Sequence, residues 1–165
     1  MRRLQSLIWL FSALVVFSLS SCKTGLKSYA FPQVYLDQQV NAYLTPLEEK
    51  YDDKGPILMQ FTIQNIGTEP VKLCRWNSPL EGNFSEDYLK VLRKEKYVLY
   101  TGSRIKRKQK LIKSFVTLYP GESLSQVFDL AEGYEIKKKG TYSIAFEGDA
   151  MNHLPSTEAV EITVK

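Results

Sequence analysis

Ile57, Met59, Phe61 and Ile63 fall on one face of a stretch whose other face carries Gln60, Thr62 and Gln64. A period of two sustained over that length describes a half-buried β-strand. Asn65, Gly67 and Pro70 follow and supply turn chemistry, because glycine tolerates positive φ and proline cannot continue an interior ladder. Val71 and Leu73 resume the alternation as a short second strand, which runs into Trp76 and a loop around Pro79 and Gly82. The stretch reads as a strand, a tight corner and a return strand, the repeating unit of an antiparallel sandwich.

The same grammar recurs along the chain. Phe31 to Leu44 carries Val34, Leu36 and Val40 between polar residues and is expected to open the sandwich. Tyr88 to Tyr100 reads as a hairpin with Lys94-Glu95-Lys96 at its tip. Phe115 to Tyr119 is a strand, Pro120-Gly121 a turn, and Leu124, Gln126, Phe128 and Leu130 share one face of the next strand. Tyr142, Ile144 and Phe146 alternate inward after Gly140, and Val160, Ile162 and Val164 mark a last strand. With ten Tyr and eight Phe and little helical period, the composition leans towards β. A chain of 165 residues suffices for one domain with its own core. The expected fold is all-β, a single antiparallel Ig-like β-sandwich of roughly seven to nine strands, after an N-terminal signal helix. The run Gly140 to Ile144 resembles the tyrosine corner of such sandwiches, and Ile144 stands where an antibody domain has its second cysteine, so no inter-sheet disulfide is expected.

Met1 to Ser21 reads as a secretory signal, with Arg2 and Arg3 as the basic n-region and Leu7 to Phe17 as the apolar h-region. That run is shorter than the roughly 20 residues a membrane span needs. Leu19-Ser20-Ser21-Cys22 resembles the lipobox of bacterial lipoproteins. The resemblance implies a diacylglyceryl group on the Cys22 thiol, cleavage before that residue, and acylation of the new amine. Several acyl chains on one residue give stable anchoring, where a single chain binds marginally. Residues 22–30 would be a lipidated tether and residues 31–165 the sandwich. Lys23 is not the aspartate that retains many such lipoproteins in the inner membrane, and Thr24 to Lys27 carries no acidic export cluster. The expected location is the cell envelope, on the outer membrane facing the periplasm.

Removing Arg2 and Arg3 with the signal leaves 20 basic against 18 acidic residues, a net charge of +2. Such a balance does not point to nucleic acid, whose binders carry concentrated basic surface. Arg104, Lys106, Arg107, Lys108, Lys110 and Lys113 do cluster in sequence. They read either as an anion or headgroup patch or as a polar edge whose lysines discourage strand pairing. Glu48, Glu49, Asp52 and Asp53 lie in a charged loop whose spacing matches no calcium-binding EF-hand. With Cys22 acylated, Cys74 is the remaining thiol and His153 the only histidine, a thin basis for nucleophilic or zinc chemistry. HExxH, GxSxG and phosphate-cradling glycine loops are absent. No cofactor, no metal and no enzymatic activity are expected.

Larger segments carry a resemblance. Asn65 to Val71 forms an Asn-x-Gly-x-Glu-Pro-Val corner, and Trp76 to Gly82 a Trp-x-x-Pro-Leu-Glu segment. Pro120 to Ser123 gives a Pro-Gly-Glu-Ser turn, followed by Asp129 to Tyr134 and the Gly-x-Tyr strand from Gly140. In this order the segments resemble the non-catalytic N-terminal domain of deuterolysin-type (peptidyl-Lys) zinc metallopeptidases, over Ile57 to Gly148. The zinc-binding helix and aspartate motif of the catalytic domain are missing. The resemblance implies a propeptide-like module that binds a metallopeptidase and inhibits it or helps it fold. Trp76, Pro79, Leu80 and Glu81 are the candidate contacts, an aromatic beside a proline-containing loop being a suitable anchor; alternatively Trp76 caps the core and Pro79-Leu80 shapes a loop. A reading from another class is an envelope scaffold lipoprotein that binds other envelope proteins or glycans, with Arg104, Lys106 and Arg107 on its working face.

Overall fold

The computed structural model describes residues 39–107, 112–148 and 152–165. The signal at residues 1–21, Cys22, the tether, and Val34 and Leu36 lie outside the described residues. In chain order the strands are β1 (Val40–Pro46), β2 (Lys50–Tyr51), β3 (Leu58–Asn65), β4 (Val71–Cys74) and β5 (Leu89–Arg93). They continue with β6 (Lys96–Tyr97), β7 (Phe115–Leu118), β8 (Ser123–Asp129), β9 (Gly140–Phe146) and β10 (Val160–Val164). Short 3-10 turns occupy Pro79–Glu81, Ile112–Ser114 and Leu130–Glu132. The chain is an all-β sandwich of Ig-like type. Ten strands are present among the described residues, two of them only two residues long.

One sheet has the order β1-β3-β8 and a second the order β2-β10-β9-β5-β6. Every pairing is antiparallel except the two-residue match of β10 with β2. The alternation of β3 decides which side faces inward. Met59, Phe61 and Ile63 are buried, as is Ile57 just before the strand. They meet Val91, Tyr142, Ile144, Phe146, Ile162 and Val164 from the other sheet in one apolar core. The Phe61 and Phe146 rings stand 4.7 Å apart across it. Tyr142 makes the expected corner: its hydroxyl donates to the Lys138 carbonyl, four residues upstream.

The corner after β3 behaves differently from the expected strand-and-return unit. β4 does not pair with β3. It pairs with β7 in a separate two-stranded ladder, while β3 pairs with β8. Two chain segments therefore turn the same corner side by side, β3 into β4 and β7 into β8. Asn65 is the reason. Its fully buried side-chain amide donates to the Glu69 carbonyl at 2.8 Å and the Leu118 carbonyl at 2.9 Å. Its side-chain oxygen accepts from the Gly67 N–H at 2.9 Å. Its backbone N–H donates to the Glu122 carbonyl, and its carbonyl accepts from the Gly121 N–H. Gly121, at φ 81°, gives the opposing turn its left-handed residue.

Two further departures concern polar stretches. The charged run Glu48 to Gly55 is not all loop, because it contains β2. Tyr51 within it is buried, and its hydroxyl donates to the Leu58 carbonyl at 2.6 Å while accepting from the Glu48 N–H. One aromatic that reaches the core outweighs its charged neighbours. The hairpin tip narrows to Lys94-Glu95, with φ 49° and 62°, joining β5 to β6. Cys74 is a buried free thiol at the end of β4, and His153 is exposed.

Candidate functional site

The loop that leaves β4 is wound tightly by its own polar groups. The Arg75 N–H donates to the Ser114 carbonyl, and the Ser78 hydroxyl donates back to the Arg75 carbonyl at 2.6 Å. Pro79 pre-sets φ for the first position of the 3-10 turn. Gly82 closes the turn at φ 78°, its N–H donating to the Pro79 carbonyl at 2.9 Å. Pro79 and Leu80 point inward and are buried. Their side chains shape the loop and fill the core. Glu81 and Trp76 stay at the boundary.

Glu81 is the hub of the loop. Its carboxylate accepts two hydrogen bonds from the Arg107 guanidinium, at 2.7 and 3.1 Å. It also accepts from the Ser85 hydroxyl at 2.5 Å and the Asn77 N–H at 3.1 Å. The Arg107 guanidinium lies 4.7 Å from the centre of the Trp76 ring. With side-chain exposures of 17% for Arg107 and 11% for Glu81, the pair is largely withdrawn from water. The Ile105 N–H donates to the Ser85 carbonyl at 2.8 Å, so the segment around Arg107 runs along the loop. Trp76, Arg107 and Glu81 thus form a clamp between two segments that the sequence reading assigned to different surfaces.

The other sequence-predicted cations are spread out. Arg104 is 65% exposed and lies 3.7 Å from Glu86 and 3.8 Å from Asp87. Its guanidinium is 5.6 Å from the Tyr100 ring. Burial, then the Glu86 and Asp87 carboxylates, push the Tyr100 hydroxyl up to about 12, so it stays protonated and donates to the Ser103 carbonyl at 2.6 Å. Lys106 is exposed, and Lys108 and Lys110 lie outside the described residues. The run is not one basic face, since Arg107 is turned inward and Arg104 faces carboxylates.

Sequence reasoning missed a groove of about 440 Å³ lined by Lys90, Tyr97, Leu99, Tyr100, Arg104 and Tyr134 among others. Tyr97 and Leu99 are 74% and 64% exposed on its rim. The available signal was the outward register of alternate residues in the second arm of the hairpin. Among the described residues no group of three or more His, Cys, Asp or Glu side chains could hold a metal ion, and no helix is long and apolar enough to cross a membrane.

The clamp carries a measurable expectation. Glu81→Gln keeps the shape and the Ser85 contact but leaves the largely desolvated Arg107 charge without its counter-charge. A loss of about 2 kcal/mol is expected, between the limits for exposed and fully buried pairs. A urea midpoint equal to that of the unmodified chain would show that the clamp contributes nothing to the fold.

No family model matches the chain. Over 107 residues it is 31% identical to an extracellular protease of Aeromonas hydrophila. The match takes in 65% of this chain and 30% of the protease, so the chain spans under a third of that relative's length. Among solved structures it is similar to a β-glucosidase of Erythrobacter marinus, at 14% identity and a TM-score of 0.43 over 76% of this chain and 15% of that one. It is also similar to a CARDB domain of Pyrococcus furiosus, at 12% identity and a TM-score of 0.38 over 76% of this chain and 94% of that one.

Proposed function

We propose that this chain is a non-enzymatic binding module of the cell envelope, held by lipid on Cys22 and acting on a secreted metallopeptidase as a propeptide-like inhibitor or folding aid. The observation that carries the reading is the 107-residue similarity to an extracellular protease of which it covers 30%. A stretch shared with so small a part of a protease suits an accessory domain. The sequence resemblance to the N-terminal domain of deuterolysin-type peptidases agrees with it. The lipobox-like run ending at Cys22 supplies the anchor, and an outer-membrane site facing the periplasm would put the module on the route of an exported enzyme.

Within this reading the clamp has a supporting role. Pro79 and Leu80 are core, and Glu81 is occupied by Arg107, so the surface left to a partner is the outer edge of Trp76 with neighbouring Gly82 and Asn83. Both of those neighbours are exposed.

The test is capture followed by titration. The tagged full chain is cross-linked in its own cells, and any enriched peptidase is purified and assayed on a protein substrate with increasing amounts of the chain. Enrichment of a metallopeptidase whose activity or refolding yield changes on titration is the expected result. Recovery of porins, transporters or wall-associated proteins alone would overturn the peptidase reading and favour the scaffold.

A further inference from the structure

The hairpin tip and the loop before β9 meet at one end of the five-stranded sheet. Arg93, the last residue of β5, pairs in register with Lys96 on one side and with Tyr142 on the other. Its guanidinium donates to the Lys139 carbonyl at 2.6 Å and lies 6.0 Å from the centre of the Tyr142 ring. Tyr142 in turn bonds the Lys138 backbone. These contacts join the Arg93 end of the hairpin, with Lys94 and Lys96 beside it, to the end of the Lys137–Lys139 loop, more than forty positions away in sequence.

Little opposes this charge. Lys137 is paired with Glu135 at 2.7 Å, and Glu95 sits between two of the lysines. Among the described residues, no carboxylate lies within ion-pair distance of Lys94, Lys96, Lys138 or Lys139, all four of which are exposed. Arg93 adds a second observation. Its guanidinium has a neutral carbonyl as partner rather than a carboxylate, and its Nε is buried with no hydrogen-bond partner. A half-buried cation without a counter-charge thus underlies the lysines and raises the potential above them.

From this geometry we infer that the tip of the β5–β6 hairpin and the Lys137–Lys139 loop form a docking face for the headgroups of an anionic lipid surface. The residue types select that partner. Ammonium groups on flexible stems act as mobile point charges, suited to a diffuse layer of phosphates rather than to fork-shaped recognition of one group. Clustered lysines are drawn to anionic headgroups and released by salt. One exposed aromatic, Tyr97, follows Lys96, and a single ring is not the row of stacking platforms that single-stranded nucleic acid would require. The face is distinct from the clamp and from the Arg104 segment, and it holds whether or not Cys22 carries lipid.

The test reads individual lysines, so that an anchor elsewhere in the chain does not mask the answer. The full chain is mixed with vesicles of phosphatidylcholine alone or with about one-third phosphatidylglycerol, and exposed amines are acetylated and quantified by mass spectrometry. Lys94, Lys96, Lys138 and Lys139 are expected to label several-fold more slowly on the anionic vesicles, with protection lost in high salt, while Lys72 is unchanged. The surface variant combining Lys94→Gln, Lys96→Gln, Lys138→Gln and Lys139→Gln is expected to keep its melting temperature. Its salt-sensitive binding to the same anionic vesicles should fall on the order of tenfold or more. Equal labelling on both vesicle types overturns the proposal, as does protection by free inorganic phosphate without protection by vesicles.

Discussion

Phe84→Ala is expected to lower stability by about 3–5 kcal/mol, the range for removing a large aromatic from a packed interior. Phe84 is the hub of a ring cluster rather than one side chain among many. Its ring stacks on Tyr88 at 5.3 Å and meets Tyr134, Phe128 and Tyr100 edge-on at 5.7, 5.8 and 6.3 Å. It also lies on bare backbone, since a Cβ at Gly133 would stand 2.6 Å from it. The hole left by alanine would border Tyr134, whose hydroxyl accepts from the Leu89 N–H and sits 2.7 Å from Asp87 Oδ1. Burial first, then that contact with Asp87, push the Tyr134 hydroxyl upward, so it stays protonated and donates at neutral pH. Collapse of this neighbourhood would cost a hydrogen bond, and rigidity would preserve the cavity. Equilibrium urea denaturation of Phe84→Ala and of Phe84→Leu measures the effect. A loss under about 1 kcal/mol for alanine would mean the cluster is not the keystone its contacts suggest.

Asn65→Ala is expected to cost about 2–4 kcal/mol, because it leaves the Leu118 and Glu69 carbonyls without the donors that satisfy them and removes the acceptor for Gly67. The loss falls where two sheets share their turning segments, so β4 and β7 should loosen with it. Asn65→Asp separates shape from chemistry. It keeps the acceptor for Gly67 but sets a carboxylate against two carbonyl oxygens, and should be at least as damaging as alanine. Amide exchange of Gly67, Gly121 and the β4–β7 ladder gives the readout. Faster exchange confined to these residues is expected, and unchanged protection in both variants would show that the turn is held by other means.

The strands were legible in the sequence because side-chain period is local. Ile57 to Ile63, Tyr142 to Phe146 and Val160 to Val164 declare their inward faces without reference to any other part of the chain. Pairing is not local. Nothing within Asn65 to Cys74 says that β4 takes β7 rather than β3, since that choice is made by an amide reaching a carbonyl fifty-three positions away. The surface shows the same limit. Arg107 looks like one cation in a basic run, yet Glu81 and Trp76 take it out of that run. Arg93 and Lys139 look unrelated and share a hydrogen bond. Trp76 and Glu81 were visible as a pair through their spacing, and their third member was hidden by distance in sequence.

The match of β2 with β10 sets an order of events. The Thr163 N–H donates to the Glu49 carbonyl and the Lys165 N–H to the Tyr51 carbonyl, so an edge of the larger sheet joins two pieces of chain far apart in sequence. In a chain that emerges with its N-terminus leading, that edge could not form until β10 was free, however early β2 had appeared. The pairing would therefore come late, slowed by the long loop that must be shut.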